Sequence, residues 1–163
     1  ILAPFIPVWF CGDEIGMEES GSVIYFSKIR WELLDRPENR IFYEDVKQML
    51  RLRRMFPDIF ACFPEDHRTA NIEAIPVEKN GEKSLTGYAR TGKNRTVVVI
   101  PAMEDGVYDC TIPPLAGEAE TISVTDLTTN QVIFDGKADD FRKLRVPLRK
   151  ERMGLYYIEV LPE

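Results

Sequence analysis

The first apolar stretch, Phe5-Ile6-Pro7-Val8-Trp9-Phe10-Cys11, runs without a polar break and stops at Gly12-Asp13-Glu14. A strand covered on both faces reads this way, as in parallel sheets flanked by helices. The pattern therefore predicts a buried strand with Trp9, Phe10 and Cys11 in the core and polar residues at its carboxyl end. From Ile15 to Leu34 no period holds, and Gly16, Gly21 and several serines indicate a loop, with a short helix around Ser27 to Leu34. A firm helix follows: Asp35 and Glu38 have N-cap and N3 spacing and Pro37 falls in the first turn. Phe42, Val46, Met49 and Phe56 recur at helical intervals until Pro57.

After Phe63-Pro64 the period changes from helical to alternating, and turn signals arrive every ten residues or so, the pattern of an antiparallel sandwich or barrel. The boundary is placed near Pro64 to Arg68, giving units 1–64 and 65–163. Strands are predicted at Asn71–Val77, Ser84–Thr91, Arg95–Pro101, Tyr108–Ile112, Thr121–Asp126, Val132–Asp135, Leu144–Leu148 and Gly154–Val160. Asn80-Gly81 favours a tight hairpin between the first two, because both central residues of a type I′ turn need positive φ. Further hairpins are expected at Thr91-Gly92-Lys93-Asn94 and Thr128-Thr129-Asn130. Thr96-Val97-Val98-Val99-Ile100 is apolar on both faces and should be a central strand.

Composition narrows the function classes. With 44% hydrophobic and 29% charged residues the chain has the profile of a soluble globular protein, and its formal charge of −6 argues against nucleic-acid binding, which needs cations to displace counterions. The basic cluster Arg51, Arg53 and Arg54 falls in the last turn of the predicted helix, where cations favour the dipole. Cys11, Cys62 and Cys110 form no CxxC pair, and His67 has no partner at ligand spacing, so neither a disulfide framework, a metal site nor a cofactor is indicated. Ile1 to Cys11 contains two prolines and no basic flank, which fits neither a signal peptide nor a membrane span. The chain starts at Ile1 and enters an apolar run at once, which suggests a fragment or a processed product.

A buried strand ending in Gly-Asp-Glu, an irregular loop, the Arg30-Trp31 pair, an amphipathic helix and an all-β tail form a specific order. That order resembles the end of an alpha-amylase-family glycoside hydrolase. In that family the eighth barrel strand commonly reads Gly-x-Pro, four residues, Gly-x-Glu; here Pro7, Gly12 and Glu14 keep the spacing, while Phe5 replaces the first glycine and Trp9-Phe10-Cys11 stands where two tyrosines are common. The stretch Tyr43 to Phe56, with its Leu-Arg pairs and following Pro57, is similar to the family's eighth-helix pattern. The resemblance implies a mixed fold: the final β/α unit of a TIM barrel as a fragment, followed by an all-β antiparallel sandwich.

A whole barrel takes about 250 residues, and the family's catalytic carboxylates sit on earlier strands than the one matched here. Asp13 and Glu14 are adjacent at a strand end and do not flank one sugar bond, as two carboxyls roughly 5–10 Å apart must. The resemblance therefore implies no catalytic residue in this chain and a parent acting on starch-like α-glucosidic bonds by a retaining mechanism. Asp13, Arg30 and Trp31 are the candidate substrate-binding residues, each with a plain structural reading beside it, and Glu14 is a brace for neighbouring loops. Expected partners are the rest of the barrel, as one polypeptide or a nicked fragment, or a second copy, either one pairing the strand at 5–11; an oligosaccharide is a further candidate ligand. Two other readings stand: a carbohydrate-binding sandwich using Tyr88, Tyr108, Tyr156 and Tyr157, and an amylase-like scaffold without catalysis.

Overall fold

The structure, a computed structural model, describes residues 8, 10–18, 28–60, 72–84, 87–92, 94–112, 121–150 and 152–161. The chain divides into two units, Ile1–Cys62 and Phe63–Glu163.

In the first unit a 3₁₀ turn, Asp13–Ile15, is followed by a second at Trp31–Asp35, the long helix α1 at Pro37–Met55 and the one-turn helix α2 at Pro57–Phe60. The helix expected from Asp35 onward is there, but its cap is not the expected one. Arg36, extended at φ −82° and ψ 130°, occupies the N-cap with no side-chain bond, and Asp35 belongs to the preceding turn. Pro37 explains the shift: its ring disfavours helical geometry in the residue before it and suits the first helical position. Arg53 and Arg54 lie in the last turn, where the dipole favours them. Val46 and Phe56 of the predicted apolar face are buried, together with Leu52, whereas Phe42 is 43% exposed. The short helix expected around Ser27 to Leu34 is the 3₁₀ turn at Trp31–Asp35.

The buried strand read from Phe5 to Cys11 is not found at the positions described. Val8 and Phe10 have no regular structure, Cys11 lies in a turn, and all three are exposed, so Phe10 and Cys11 are not core residues. Phe5, Ile6, Pro7 and Trp9 lie outside the described residues. An isolated strand leaves its N–H and C=O groups without partners, and among the described residues no strand pairs with this segment.

The second unit is almost entirely antiparallel. Among the described residues, ten strands form a six-stranded sheet of order β1-β4-β5-β10-β7-β8 and a four-stranded sheet of order β3-β2-β6-β9. In chain order they are β1 Ile72–Ile75, β2 Val77–Lys79, β3 Glu82–Lys83, β4 Gly87–Thr91, β5 Arg95–Pro101, β6 Gly106–Thr111, β7 Thr121–Asp126, β8 Gln131–Lys137, β9 Lys143–Leu148 and β10 Met153–Val160. One core joins the sheets: Ile75, Ala89, Val98, Ile100, Ile122, Val124, Tyr156 and Ile158 from the larger pack with Val77, Tyr108, Cys110, Leu144 and Val146 from the smaller. This is a sandwich, held by alternate inward side chains.

Thr96 to Ile100 are buried throughout, and β5 lies inside the larger sheet between β4 and β10, as its two-sided apolar run predicts. The predicted first strand, by contrast, is two strands. Pro76 has no N–H to give a ladder, and there the chain passes from β1 in the larger sheet to β2 in the smaller. Asn80 (φ 54°) and Gly81 (φ 84°) make the expected turn, but it joins β2 to β3. The other two hairpins join β4 to β5, closed by Gly92 N–H donating to Arg95 C=O at 2.8 Å, and β7 to β8, where Asp126 Oδ1 accepts from Thr128 N–H at 2.8 Å. Among the described residues no helix is long and apolar enough to cross a membrane.

Candidate functional site

The polar residues after the first apolar run are gathered by a glycine-bounded turn. Gly12 sits at φ 103° and Gly16 at φ 64°, both in the left-handed region that disfavours a β-carbon. A β-carbon on Gly12 would also come within 3.0 Å of Met17 Cβ. Between the glycines the chain closes on itself: Ile15 N–H and Met17 N–H both donate to Gly12 C=O, at 3.1 and 3.0 Å. Ile15 is fully buried, which anchors the turn.

Each carboxylate serves this turn. Asp13 Oδ2 accepts from Phe10 N–H at 2.9 Å, and Glu14 Oε2 accepts from Gly12 N–H at 2.9 Å. Both are therefore local braces of the backbone, with Asp13 still exposed and Glu14 half-buried. They lie next to each other on the turn and do not face each other across a cleft.

Three longer links assemble the unit. Asn39 of α1 donates from Nδ2 to Ile15 C=O at 2.7 Å, so the helix holds the turn. Arg30 donates from its guanidinium to Glu18 C=O at 3.0 Å, tying the start of the Trp31–Asp35 turn to the chain just beyond Gly16. The two 3₁₀ turns and α1 contact one another. Asp13, Arg30 and Trp31 are thus carried on adjoining elements of one small unit, with Trp31 53% exposed. The third motif position, Pro7, lies outside the described residues. Asn39 had no signal in the sequence, because a side chain reaching a carbonyl 24 residues away reflects the folded path alone.

A second polar constellation lies on the outer face of the four-stranded sheet. Strand register sets Lys83, Glu78, Asp109 and Arg145 side by side across β3, β2, β6 and β9. Arg145 Nε lies 3.8 Å from Asp109 Oδ1, and the two carboxylates are bounded by a cation at each end of the row. Beside it Pro76, Glu78, Asp109, Thr111 and Lys143 line a small, shallow depression that opens to solvent. Catalytic clefts are deeper and bury most of their ligand. The row reads as a charge-patterned sheet face.

The other displaced pKa values report burial in the sandwich or a surface ion pair. Burial pushes the Cys110 thiol up to about 12 and raises Tyr156 as well. Tyr88 is raised by burial against the opposing influence of Arg90. Glu104 is lowered and Lys79 raised by the hydrogen bond and ion pair they make with each other. Of the four tyrosines considered for sugar binding, Tyr108 and Tyr156 are core residues, and Tyr108 donates its hydroxyl to Glu104 C=O at 2.8 Å. His67 and Cys62 lie outside the described residues, among which no group of three or more His, Cys, Asp or Glu could hold a metal ion.

No protein-family model matches this chain, and neither does any curated protein.

Proposed function

We propose that the chain is the non-catalytic C-terminal portion of an alpha-amylase-type glycoside hydrolase acting on α-glucosidic, starch-like substrates. In this reading the first unit is the last β/α unit of the TIM barrel and the sandwich supports that barrel. The observation that carries it is the spacing of Pro7, Gly12 and Glu14, with Gly12 at a positive φ and Glu14 folded back onto the Gly12 N–H. A barrel strand that must turn sharply at its carboxyl end, where such enzymes place their function, has use for both features.

Exposed apolar surface in the first unit supports the reading. Val8, Phe10, Ile41, Phe42, Leu50 and Met55 are exposed large apolar residues, four of them on α1. An outer helix of a barrel packs on the sheet and also on the helices to either side, so it needs a wider apolar arc than a helix with one neighbour. Asp13 and Trp31 are assigned to the rim of the substrate groove, Trp31 to stack on a sugar ring and Arg30 to hold the loop that carries it. The tyrosine-lined binding module loses Tyr108 and Tyr156 to the core.

The test uses the chain alone and the polypeptide encoded by the reading frame running upstream of Ile1. The chain alone should release no reducing ends from starch or maltooligosaccharides. The longer polypeptide should release them with retention of configuration, and Trp31→Ala in it should raise KM by about threefold to tenfold with little change in kcat. Hydrolysis by the chain alone overturns the non-catalytic assignment. An upstream sequence without carboxylates at the ends of its strands turns the reading to a scaffold.

A further inference from the structure

The hairpin that joins β2 to β3 is a lightly held piece of the second unit. β3 is two residues long and stands at the end of the smaller sheet, where Glu78 pairs with Lys83 and Lys79 with Glu82. Below those pairs Ser84 N–H donates to Val77 C=O at 2.8 Å. Lys79, one residue before the tip, is tied to Glu104. From there on nothing is buried: Asn80, Gly81, Glu82 and Lys83 are all exposed. A strand end with few pairs and no buried side chain opens at a cost far below that of unfolding the domain.

The tip is Asn80-Gly81, and its chemical setting differs from that of the other described asparagines. An asparagine amide is attacked by the backbone nitrogen of the next residue when that nitrogen is unhindered and can swing toward Cγ. Arg40, after Asn39, is fixed in α1 with its N–H on Arg36 C=O at 3.1 Å. Arg95, after Asn94, opens β5 opposite Glu159, and Gln131, after Asn130, opens β8 opposite Asp126. All three also carry a long side chain beside the nitrogen. Gly81 carries none and lies between the paired residues, and a β-carbon built on it meets nothing within 4 Å. Asn130 shares the positive φ of Asn80, 56° against 54°, so the residue that follows is what sets Asn80 apart.

We infer that Asn80 is a site of spontaneous conversion to isoaspartate in the folded chain, and that the conversion releases β3 from β2. The Gly81 nitrogen bonds to Asn80 Cγ, the Cγ–Nδ2 bond breaks, and ammonia leaves with the proton of the Gly81 N–H. Water then opens the five-membered imide at one of its two carbonyls. Opening at Cγ gives aspartate, which tolerates the positive φ of the turn. Opening at the main-chain carbonyl gives isoaspartate, in which the backbone runs through the former side chain. That adds a methylene to a two-residue turn whose geometry matches the strands only when both φ values are positive, so the register of Glu78 with Lys83 is lost. β2 then becomes the outer strand of the smaller sheet. The reaction needs only the hairpin to open, and it does not depend on the glycoside-hydrolase reading.

The test incubates the whole 163-residue chain at mildly alkaline pH beside a peptide of residues 77–84. Peptide mass spectrometry reads replacement of the side-chain NH2 by OH, and an isoaspartate-specific carboxyl methyltransferase with a labelled methyl donor reads the isomer. Asn80 in the folded chain should convert no more than about tenfold slower than in the peptide, because an exposed hairpin end opens readily. Asn39, Asn94 and Asn130 should stay intact over the same period. Gly81→Ala should slow the conversion although its positive φ loosens the turn, since a side chain then stands beside the attacking nitrogen. In the converted chain hydrogen exchange should rise over residues 77–84 and stay unchanged in β5 and β10. Conversion of Asn80 only as fast as the whole chain unfolds would overturn the inference. So would Asn94 or Asn130 converting as fast as Asn80, a Gly81→Ala chain converting as the parent does, or unchanged exchange over 77–84.

Discussion

In the second unit buried side chains come from the inner faces of two sheets that close on each other, so apolar residues on one strand find partners from the other layer. Ile100 and Ile158 from the larger sheet and Cys110 from the smaller are each fully buried there. The first unit has Ile15, Leu33, Val46, Leu52, Phe56, Ile59 and Phe60 buried, yet it exposes Val8, Phe10, Trp31, Ile41, Phe42, Leu50 and Met55. Met103, Val132 and Ile133 are the comparable residues of the second unit. One unit has a core complete in itself; the other has apolar surface for which a larger fold would provide a use. The same residue types are therefore expected to respond differently to change in the two places.

The largest difference should come from the sandwich core. Ile158 is fully buried on β10, which pairs with both β5 and β7, and Ile158→Ala removes three methyl-sized groups from a site with no exposed side to collapse into. Urea unfolding should show a loss of about 2–5 kcal/mol, the usual range for such a truncation. A loss under about 1 kcal/mol would mean that the two sheets are not closed over this position.

Much of the sandwich was legible in the sequence because its signals are local. β5 and β7 have the bounds that alternation and turn residues indicate, and Asn80-Gly81 turns as its φ requirement demands. What the turn joins was not legible: Pro76 breaks the first strand, but only the folded sheets decide that the two pieces separate. The row Lys83, Glu78, Asp109, Arg145 was hidden for the same reason, since it exists only through the pairing of strands distant in sequence. In the first unit, helix α1 was legible from its period, while the exposed Phe10 and Cys11 were misread as core. An apolar run reports what a segment would bury given a partner, and these residues have none among those described. For the candidate site, residue types and spacing named Asp13, Glu14, Arg30 and Trp31, but the acceptor roles of the two carboxylates and the hold of Asn39 on Ile15 follow from the turn itself.

A second contrast is carried by the cysteines. Cys110 is fully buried and its thiol is pushed up to about 12, whereas Cys11 is exposed. In the unfolded chain a thiol ionises near pH 8.5, so above that pH the folded state keeps a proton that the unfolded state gives up. Stability from this group is complete below about pH 8.5 and falls as pH rises toward 12, by at most about 1.4 kcal/mol per pH unit. Unfolding midpoints measured between pH 8 and pH 10.5 should decline less steeply in Cys110→Ala than in the parent chain. Under native conditions iodoacetamide should modify Cys11 and spare Cys110, read by peptide mass spectrometry. Equal slopes in the two proteins would remove the thiol from the alkaline loss.

The smallest expected effect is the most telling about the first unit. Ile41 and Met55 lie on one side of α1 at 48% and 63% exposure, so in this chain they contribute little by burial. Ile41→Ser and Met55→Gln keep nearly the same helix propensity, which leaves burial as the variable, and each should change urea stability by no more than about 0.5 kcal/mol. In the longer polypeptide of the proposed enzyme the same positions would face neighbouring helices. There each substitution should cost about 1–2 kcal/mol, the scale of burying a large aliphatic side chain. The comparison is between two measurements of the same substitution, so errors in the absolute scale cancel. Equal, near-zero effects in both polypeptides would mean that this side of α1 meets solvent in the longer protein as well, and would take the barrel's neighbouring helix away from it.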